Sequence, residues 1–526
     1  MLSILVAILP FLAPADALRV EVRFASSARS EPLTGRAYVA FARNARGTPI
    51  QQTGSTGAPL FAVDVSELAP GQPAVIDATA FGHPIESLAS LPPGEYTAQG
   101  FFNVYTRYDR ADGKTIWAHA DRWEGQDWKR TPGNLFSKPV KVTVDPKAGG
   151  TITLECTEVI PPIEIPKDTP RVKHFTIESA LLTKFWGRKV ELGATVLLPK
   201  GFDEHPAERY PVVYEQDHFT LRAPGGFGRG GKFDTYWDAD DSPRYLLVRF
   251  QHPTPFYDDS YAVNSANNGP YGDAIVQELI PEVEKRFRGI GEGWARMLTG
   301  GSTGGWESVA LQVFHPDFFN GCWALCPDSL DFRAHQIVNV YKDDNAYFVE
   351  HEFMKVERPD RREVDGNILE MMKDENRFEL VCGAKSRSGG QWDGWEAVFS
   401  PCGDDGYPKR IWDKKTGKID HAVADAWKAS YDLRAYCEKN WKTIGPSLRG
   451  KLHVYVGEDD TYYLENGVRF MERFLEKVDP PYDGKIEYGP NAPHGYGPEL
   501  SIVLKEMAER IEKTKPAGAS IHQPKD

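Results

Sequence analysis

A chain of 526 residues exceeds what one hydrophobic core serves, and ordinary domain sizes predict roughly two to four units. Hydrophobic residues at 41% and aromatics at 12% exclude a disordered or fibrous protein. A net charge of −13 argues against a nucleic-acid partner, which would need concentrated Lys and Arg, and no segment is long and apolar enough to span a bilayer.

Leu2 to Leu12 is almost wholly apolar, and Ala15-Asp16-Ala17 has the small-x-small form of a signal cleavage site. Residues 1–17 therefore read as a signal peptide, with a mature chain from Leu18 in a secreted or periplasmic location. A buried N-terminal strand is the rival reading. The six cysteines (Cys156, Cys322, Cys326, Cys382, Cys402, Cys437) are an even number, which suits an exported protein with a few disulfides. Cys322 and Cys326, on one expected strand, stand about 13 Å apart and cannot bond each other. No paired Cys-x-x-Cys marks a zinc site.

Residues 18–156 alternate apolar and polar positions in short runs, such as Leu18 to Phe24, Gly94 to Thr106 and Val140 to Val144, broken by Gly, Pro, Asn and Asp. Period-two runs separated by turn residues predict an all-β sandwich, immunoglobulin-like in kind. Asp109, Arg122, Trp123, Trp128 and Asn134 form a polar, aromatic part of it, read as packing in preference to carbohydrate binding. Pro161, Pro162, Pro166 and Pro170 mark a stiff linker over 157–171.

Over 172–515 strands alternate with helices. Val190 to Leu198, Tyr210 to Tyr214, Tyr245 to Phe250, Trp294 to Leu298, Phe319 to Leu325, Leu452 to Val456 and Lys485 to Tyr488 read as strands. Asp273 to Arg288 reads as an amphipathic helix with Ile275, Val276, Leu279, Ile280, Val283 and Phe287 inward, and Leu464 to Val478 as another. This order predicts an α/β domain with a mainly parallel sheet and helices on both faces. About 333–450 the alternation dissolves, and an insertion of that length predicts a cap beside the active site.

Gly300-Gly301-Ser302-Thr303-Gly304 lies between an expected strand and a helix beginning near Trp306. In that context Gly-x-Ser-x-Gly forms a nucleophile elbow, which lifts the serine hydroxyl beside a helix N-terminus. A serine hydroxyl needs a base, and the base an orienting acid, in the order Ser, acid, His. His494, on a Gly- and Pro-rich loop after Lys485 to Tyr488, is the candidate base. Glu458, Asp459 and Asp460 follow Leu452 to Val456, and Asp460 is favoured as the acid.

Other motifs carry less. Gly226-Phe-Gly228-Arg-Gly-Gly231-Lys232 imitates a phosphate loop, but Phe233 stands where a magnesium-binding Ser or Thr belongs, and no helix is expected there. His218 and His252 read as plain loop histidines without ligand spacing. Trp306 reads as acyl-pocket lining or as core.

With these residues in view, residues 172 to about 510 resemble the putative-esterase group of α/β hydrolases that includes esterase D and enterochelin esterase. The likeness rests on Tyr210-Pro-Val-Val-Tyr214, Glu278 to Phe287, the elbow, Gly457-x-x-Asp460 and His494-Gly495. It implies that Asp460 is the triad acid and that the Thr303 N–H is one oxyanion donor. The family's His-Gly pair after the first oxyanion strand is here Asp217-His218, followed by Phe219, whose N–H takes the second donor role. The β-rich N-terminal domain is similar to that of enterochelin esterase.

The expectation is an exported serine esterase acting through an acyl-enzyme on a small-molecule or carbohydrate-linked ester, with no metal or organic cofactor. An acyltransferase or peptidase on the same triad, or a binding protein that keeps the fold without turnover, are the alternatives.

Overall fold

The computed structural model describes residues 17–44, 46–119, 127–519 and 521. The expected signal segment from Leu2 through Asp16, together with Arg122 and Trp123, lies outside the described residues. The chain divides into two compact units, Met1–Tyr105 with Lys129–Pro161, and Thr106–Trp128 with Pro162–Asp526. The segment Thr106–Trp128 thus groups with the second unit, not with the β unit expected over 18–156. Alternation reveals a strand but not which core the strand serves.

The first unit is all β. Its strands are β1 (Arg19–Phe24), β2 (Leu33–Ala42), β3 (Leu60–Leu68), β4 (Ala74–Ile76), β5 (Gly82–His83) and β6 (Gly94–Asp109), the last continuing past Tyr105 to pair with β7 (Thr115–His119). β8 (Leu135–Ser137), β9 (Val140–Val144) and β10 (Thr151–Val159) follow. The sheet order is β4-β1-β10-β8-β6-β2-β3-β5, with β7 and β9 also on β6; β1 and β10 are parallel. The sheet folds over its own apolar face. A Cβ on Gly100 of β6 would lie 2.9 Å from Val22 of β1 and 3.2 Å from Leu154 of β10. Phe24 meets Phe102 edge-on at 5.6 Å.

The second unit is built on an eight-stranded sheet. It opens with β11 (Val172–Glu178), α1 (Ala180–Trp186), β12 (Glu191–Leu197), β13 (Val212–Gln216), α2 (Lys232–Trp237), β14 (Leu246–Gln251) and a small bridge of β15 (Asn264–Ser265) with β16 (Gly269–Pro270). α3 (Tyr271–Ala274), a π turn (Ile275–Leu279) and α4 (Ile280–Arg286) realise the amphipathic helix expected here. The π turn precedes Pro281, which has no N–H to continue an α-helical ladder. β17 (Arg296–Gly301), α5 (Thr303–Phe314) and β18 (Cys322–Leu325) come next.

The segment expected to be irregular is largely regular. It holds hairpins of β19 (Phe348–His351) with β20 (Met354–Glu357) and β21 (Pro359–Arg362) with β22 (Ile368–Met371), then α6 (Met372–Cys382), α7 (Gln391–Phe399) and α8 (His421–Ser430). α9 (Leu433–Leu448) returns the chain to β23 (Leu452–Gly457), followed by α10 (Glu465–Leu475), β24 (Lys485–Gly489) and α11 (Leu500–Thr514).

The large sheet runs β11-β12-β14-β13-β17-β18-β23-β24, antiparallel from β11 to β14 and parallel thereafter. Alternate residues serve opposite cores. Val212, Tyr214, Val248 and Leu298 face one, whereas Val213, Leu247, Met297 and Trp323 face the other with α11. A sheet buried on both faces reads as continuous apolar runs, and its polar chemistry is confined to the loops at its ends.

All six cysteines are free, five of them buried and Cys402 half-buried. The expectation of disulfides therefore fails. Cys322 lies on β18 and Cys326 just past its end, and neither pairs. Burial raises the Cys156 and Cys437 thiols above their ordinary pKa and that of Cys322 to about 12, as suits small core side chains.

Candidate active site

Ser302 joins β17 to α5 with φ 57° and ψ −123°, a conformation that a residue with a side chain holds only where its surroundings enforce it. Its N–H donates to Leu325 O on β18 at 2.9 Å, and its carbonyl accepts from Trp306 N at 3.1 Å and Asp328 N at 3.3 Å. The motif glycines are required by close approach. A Cβ on Gly300 would lie 2.6 Å from Gln216 O, and one on Gly304 only 2.1 Å from the same oxygen. The end of β13 is thereby pressed against the first turn of α5. The Thr303 N–H belongs to that turn, where the helix supplies no acceptor of its own.

Asp460 follows β23 and His494 follows β24, neighbouring parallel strands. The loops are tied by Glu458 N to Gly489 O at 2.9 Å and Asp459 N to Ala492 O at 3.1 Å. Gly457 permits this, since a Cβ there would lie 2.1 Å from Ala492 O. His494 Nδ1 donates to Asp460 Oδ2 at 2.8 Å, and the imidazole stands edge-on to Tyr462 at 4.9 Å. Asp460 is fully buried, its Oδ1 accepting from Tyr462 N at 2.9 Å and Leu464 N at 3.5 Å. Of the three carboxylates in this turn, Asp460 is the one that meets His494; Glu458 is exposed and Asp459 half-buried. Burial depresses the His494 pKa, but the hydrogen bond and charge of Asp460, with Asp328, outweigh it and leave the pKa above the ordinary imidazole value.

Ser302 and His494 line one cavity of about 190 Å³. No hydrogen bond joins them among the described residues; catalytic contacts often tighten only when substrate is bound. The inserted segment supplies much of the wall, through Asp360, Arg361, Glu375, Gln391, Trp392 and Trp395. Arg361 donates to Glu375 at 3.1 Å and pairs with Glu370 at 2.5 Å. Burial lifts Asp360 to about 7 and holds Glu375 well above the usual carboxylate range. Beneath the elbow, buried Asp328 accepts from Tyr261 Oη at 2.6 Å, Thr303 Oγ1 at 3.3 Å and Trp395 Nε1 at 3.3 Å.

Sequence reading did not single out Asp328, although its place just after β18 marks the same sheet edge as the loops of Ser302, Asp460 and His494. His218, read as a plain loop histidine, also lines the cavity, and Phe219 follows it three residues beyond β13. His252 is buried, its Nδ1 accepting from Ser260 N at 3.0 Å, and burial lowers its pKa to about 4. Trp306 is wholly buried against Tyr261 and Phe399 at 5.5 and 5.2 Å, and so belongs to the core. In the first unit Asn134 is structural, with its Oδ1 accepting from Val104 N at 2.8 Å.

The loop that imitates a phosphate site does lead into a helix, contrary to expectation, since α2 begins at Lys232. Its amides are occupied by protein. Gly228 N and Gly230 N donate to the Asp234 carboxylate at 2.9 and 2.6 Å, where a phosphate would otherwise sit. Two trios bring potential metal-ligand atoms within 4.8 Å of one another: Cys326 with Asp460 and His494, and His218 with Asp258 and Asp259. In both, the histidine Nδ1 already bonds a carboxylate.

The mainly parallel sheet covered on both faces, with Ser302, Asp460 and His494 on loops at one edge, gives the second unit an α/β-hydrolase type of fold. Residues 188–347 match the family described as "Putative esterase", which bears out the resemblance over that segment. No curated protein matches the chain. Similar solved structures include a ferulic acid esterase at 15% identity and TM-score 0.40, with 65% of this chain and 98% of that one covered. The S-formylglutathione hydrolase of Agrobacterium tumefaciens is similar at 14% identity and TM-score 0.37, covering 66% of this chain and 99% of its own. The fluorophosphonate-binding serine hydrolase F of Staphylococcus aureus is similar at 14% and 0.38, covering 65% and 98%.

Proposed function

We propose that the protein hydrolyses carboxylic esters with Ser302 as nucleophile, His494 as general base and acid, and Asp460 as the residue that orients the imidazole. The observation that carries this reading is the 2.8 Å bond from His494 Nδ1 to buried Asp460, at a cavity shared with strained Ser302. Asp460 fixes the tautomer whose Nε2 lone pair takes the serine proton. Attack forms the Oγ–C bond and moves the carbonyl electron pair onto oxygen, which the Thr303 and Phe219 amides stabilise. His494 returns the proton to the leaving alcohol, and water repeats the sequence to release the acid. No step calls for a metal or organic cofactor.

The cavity wall supports an ester whose alcohol or acyl part bears hydroxyls and a ring. Trp392, Trp395 and Tyr462 offer flat apolar faces beside Gln391, Asp360 and Glu375, the composition that suits a carbohydrate-linked ester. Export is part of the same reading, on the apolar Leu2 to Leu12 segment and the Ala15-Asp16-Ala17 sequence; N-terminal sequencing of the secreted or periplasmic fraction tests it. The central test is labelling with a fluorophosphonate followed by mass spectrometry. Modification of Ser302, lost in Ser302→Ala and strongly slowed in His494→Ala, is expected. Undiminished ester hydrolysis by Ser302→Ala would end the assignment.

A further inference from the structure

The loop after β13 brings a second histidine to the reaction cavity. His218 stands one residue before Phe219, on a segment that starts against the first turn of α5, because Gly304 leaves no room between that turn and Gln216 O. Its ring is held from behind. Nδ1 lies 3.1 Å from Asp258 Oδ1 and 3.3 Å from Asp259 Oδ2, and Tyr257 stands edge-on at 5.9 Å. Among the described residues no protein atom hydrogen-bonds Nε2. The side chain is 40% exposed and lines the cavity that holds Ser302 and His494.

Two carboxylates on one ring nitrogen suit an imidazolium. Burial acts to lower the His218 pKa, yet Asp258 and then Asp259 carry it well above the ordinary value. The other groups that face it do not reverse this. Asp217 accepts from His218 N at 2.9 Å and lies 3.7 Å from Arg249. Glu307 on α5 and Asp328 after β18 are both acids, with pKa values raised by burial. His252, beyond Asp259, is buried and neutral with a pKa of about 4. The cation therefore has one N–H committed to carboxylate and one that no protein atom among the described residues accepts, on a ring that lines the cavity.

We propose that His218 is a catalytic residue, which donates its Nε2–H to the oxygen that becomes negative when Ser302 attacks the ester carbonyl, so that the oxyanion site combines a charged side chain with backbone amides. The proton stays on His218 throughout. His494 alone transfers the serine proton, and the oxyanion electron pair returns to re-form the carbonyl as the alcohol leaves. A charged donor aimed at developing charge in a partly dry site acts on the transition state more than on bound substrate. This inference rests on Ser302 being the nucleophile.

The experiment compares His218→Ala and His218→Gln with the wild-type protein on p-nitrophenyl acetate, which carries no carboxylate or phosphate for an imidazolium to pair with. Removing one oxyanion donor costs about 100- to 1000-fold in kcat elsewhere, and that loss is expected for Ala, with KM changed less than about threefold. Gln, which keeps an N–H donor, is expected to recover part of it. Affinity for a trifluoromethyl ketone, which forms a tetrahedral adduct, should fall in parallel with kcat/KM. A kcat within about threefold of wild type in folded His218→Ala, or a loss confined to KM, would overturn the proposal. Ser302→Ala separates the two readings: if it is inactive while His218→Ala is active, this inference alone fails. If Ser302→Ala is itself active, the reading beneath it fails.

Should His218→Ala not fold, Asp258→Asn keeps the ring and removes a charge that sustains the imidazolium. Activity should then be lost at lower pH on the alkaline side than in the wild type, because activity that needs the cation disappears as pH rises through a lowered pKa. An unmoved alkaline limb would equally overturn the proposal.

Discussion

Replacing Asp460 by Asn is the sharpest perturbation the site offers, because the surrounding amides dictate which way the new side chain points. In the wild type, Oδ1 accepts from Tyr462 N at 2.9 Å and more weakly from Leu464 N at 3.5 Å, while Oδ2 accepts from His494 Nδ1 at 2.8 Å. An Asn at this place must keep its oxygen on the two backbone donors, since its NH₂ there would set donor against donor. The NH₂ is then turned toward His494 Nδ1, where it donates and holds the imidazole in the tautomer that carries its proton on Nε2. That nitrogen can no longer accept the Ser302 proton. A histidine trapped in the wrong tautomer costs about 10⁴-fold in kcat in serine hydrolases, equivalent to about 5.4 kcal/mol of activation free energy. Stability should change little, because the Tyr462 bond survives and the volume is conserved. The assay is steady-state hydrolysis of p-nitrophenyl acetate, with circular dichroism and thermal melting as controls for folding. A folded Asp460→Asn protein within about tenfold of wild-type kcat would refute the reasoning, as would a crippled Asp459→Asn with Asp460→Asn intact.

His494 must be neutral to act, so activity is present above its raised pKa and lost as pH falls through it. The acid limb should lie above that of an ordinary imidazole, and in the residual activity of Asp460→Asn it should move to lower pH. An acid limb left in place by that substitution would count against His494 as the titrating base. Gly304→Ala would drive a methyl to 2.1 Å from Gln216 O and 2.9 Å from Asp217 N, both backbone atoms. Overpacking of this kind costs about 3 kcal/mol and, in a unit as large as the second, should lower Tm by roughly 4 °C, while displacing the loop that bears Phe219. Calorimetry and kcat/KM check both effects, and a variant that melts and reacts like wild type would contradict the described elbow. With all six cysteines free, six thiols should titrate with a disulfide reagent in denaturant without prior reduction, and Tm should not change with added dithiothreitol.

The candidate triad was legible because each proposed member sits at a place that backbone geometry makes recognisable. Ser302 stands between Gly300 and Gly304, where a Cβ would run into backbone atoms, and Asp460 and His494 occupy loops after adjacent parallel strands. The strands themselves show as unbroken apolar runs, since both faces of β13 and β14 are covered. What did not show was the inserted segment. α7 reads Gln391-Trp-Asp-Gly-Trp-Glu-Ala-Val-Phe399, and Asp393 and Glu396 resemble a solvent face, yet both are fully buried. Lys414 lies between Glu379 and Asp393 at 3.1 Å each, and Ser386 Oγ donates to Glu396 at 2.8 Å. Charges paired inside a core erase the polar face on which helical periodicity depends.

That difference also separates chemistry from selectivity. Strand-end loops present Ser302, His494, Asp460 and His218 against a sheet whose geometry is set by its own hydrogen bonds. Asp360, Arg361 and Glu375 reach the same cavity from hairpins and a helix held by inward-turned ion pairs. A substitution that loosens this second scaffold should alter which esters bind while leaving Ser302 reactive toward a fluorophosphonate. Lys414→Met is the suitable case, because it removes a buried cation from between two carboxylates, neither of which lines the cavity. Breaking a buried pair in this way costs about 3–5 kcal/mol locally, enough to disorder the wall. The expected result is near-normal labelling of Ser302 with a flattened preference across an ester series. Equal loss of labelling and of every ester activity would show instead that the insertion and the triad are supported by one indivisible core.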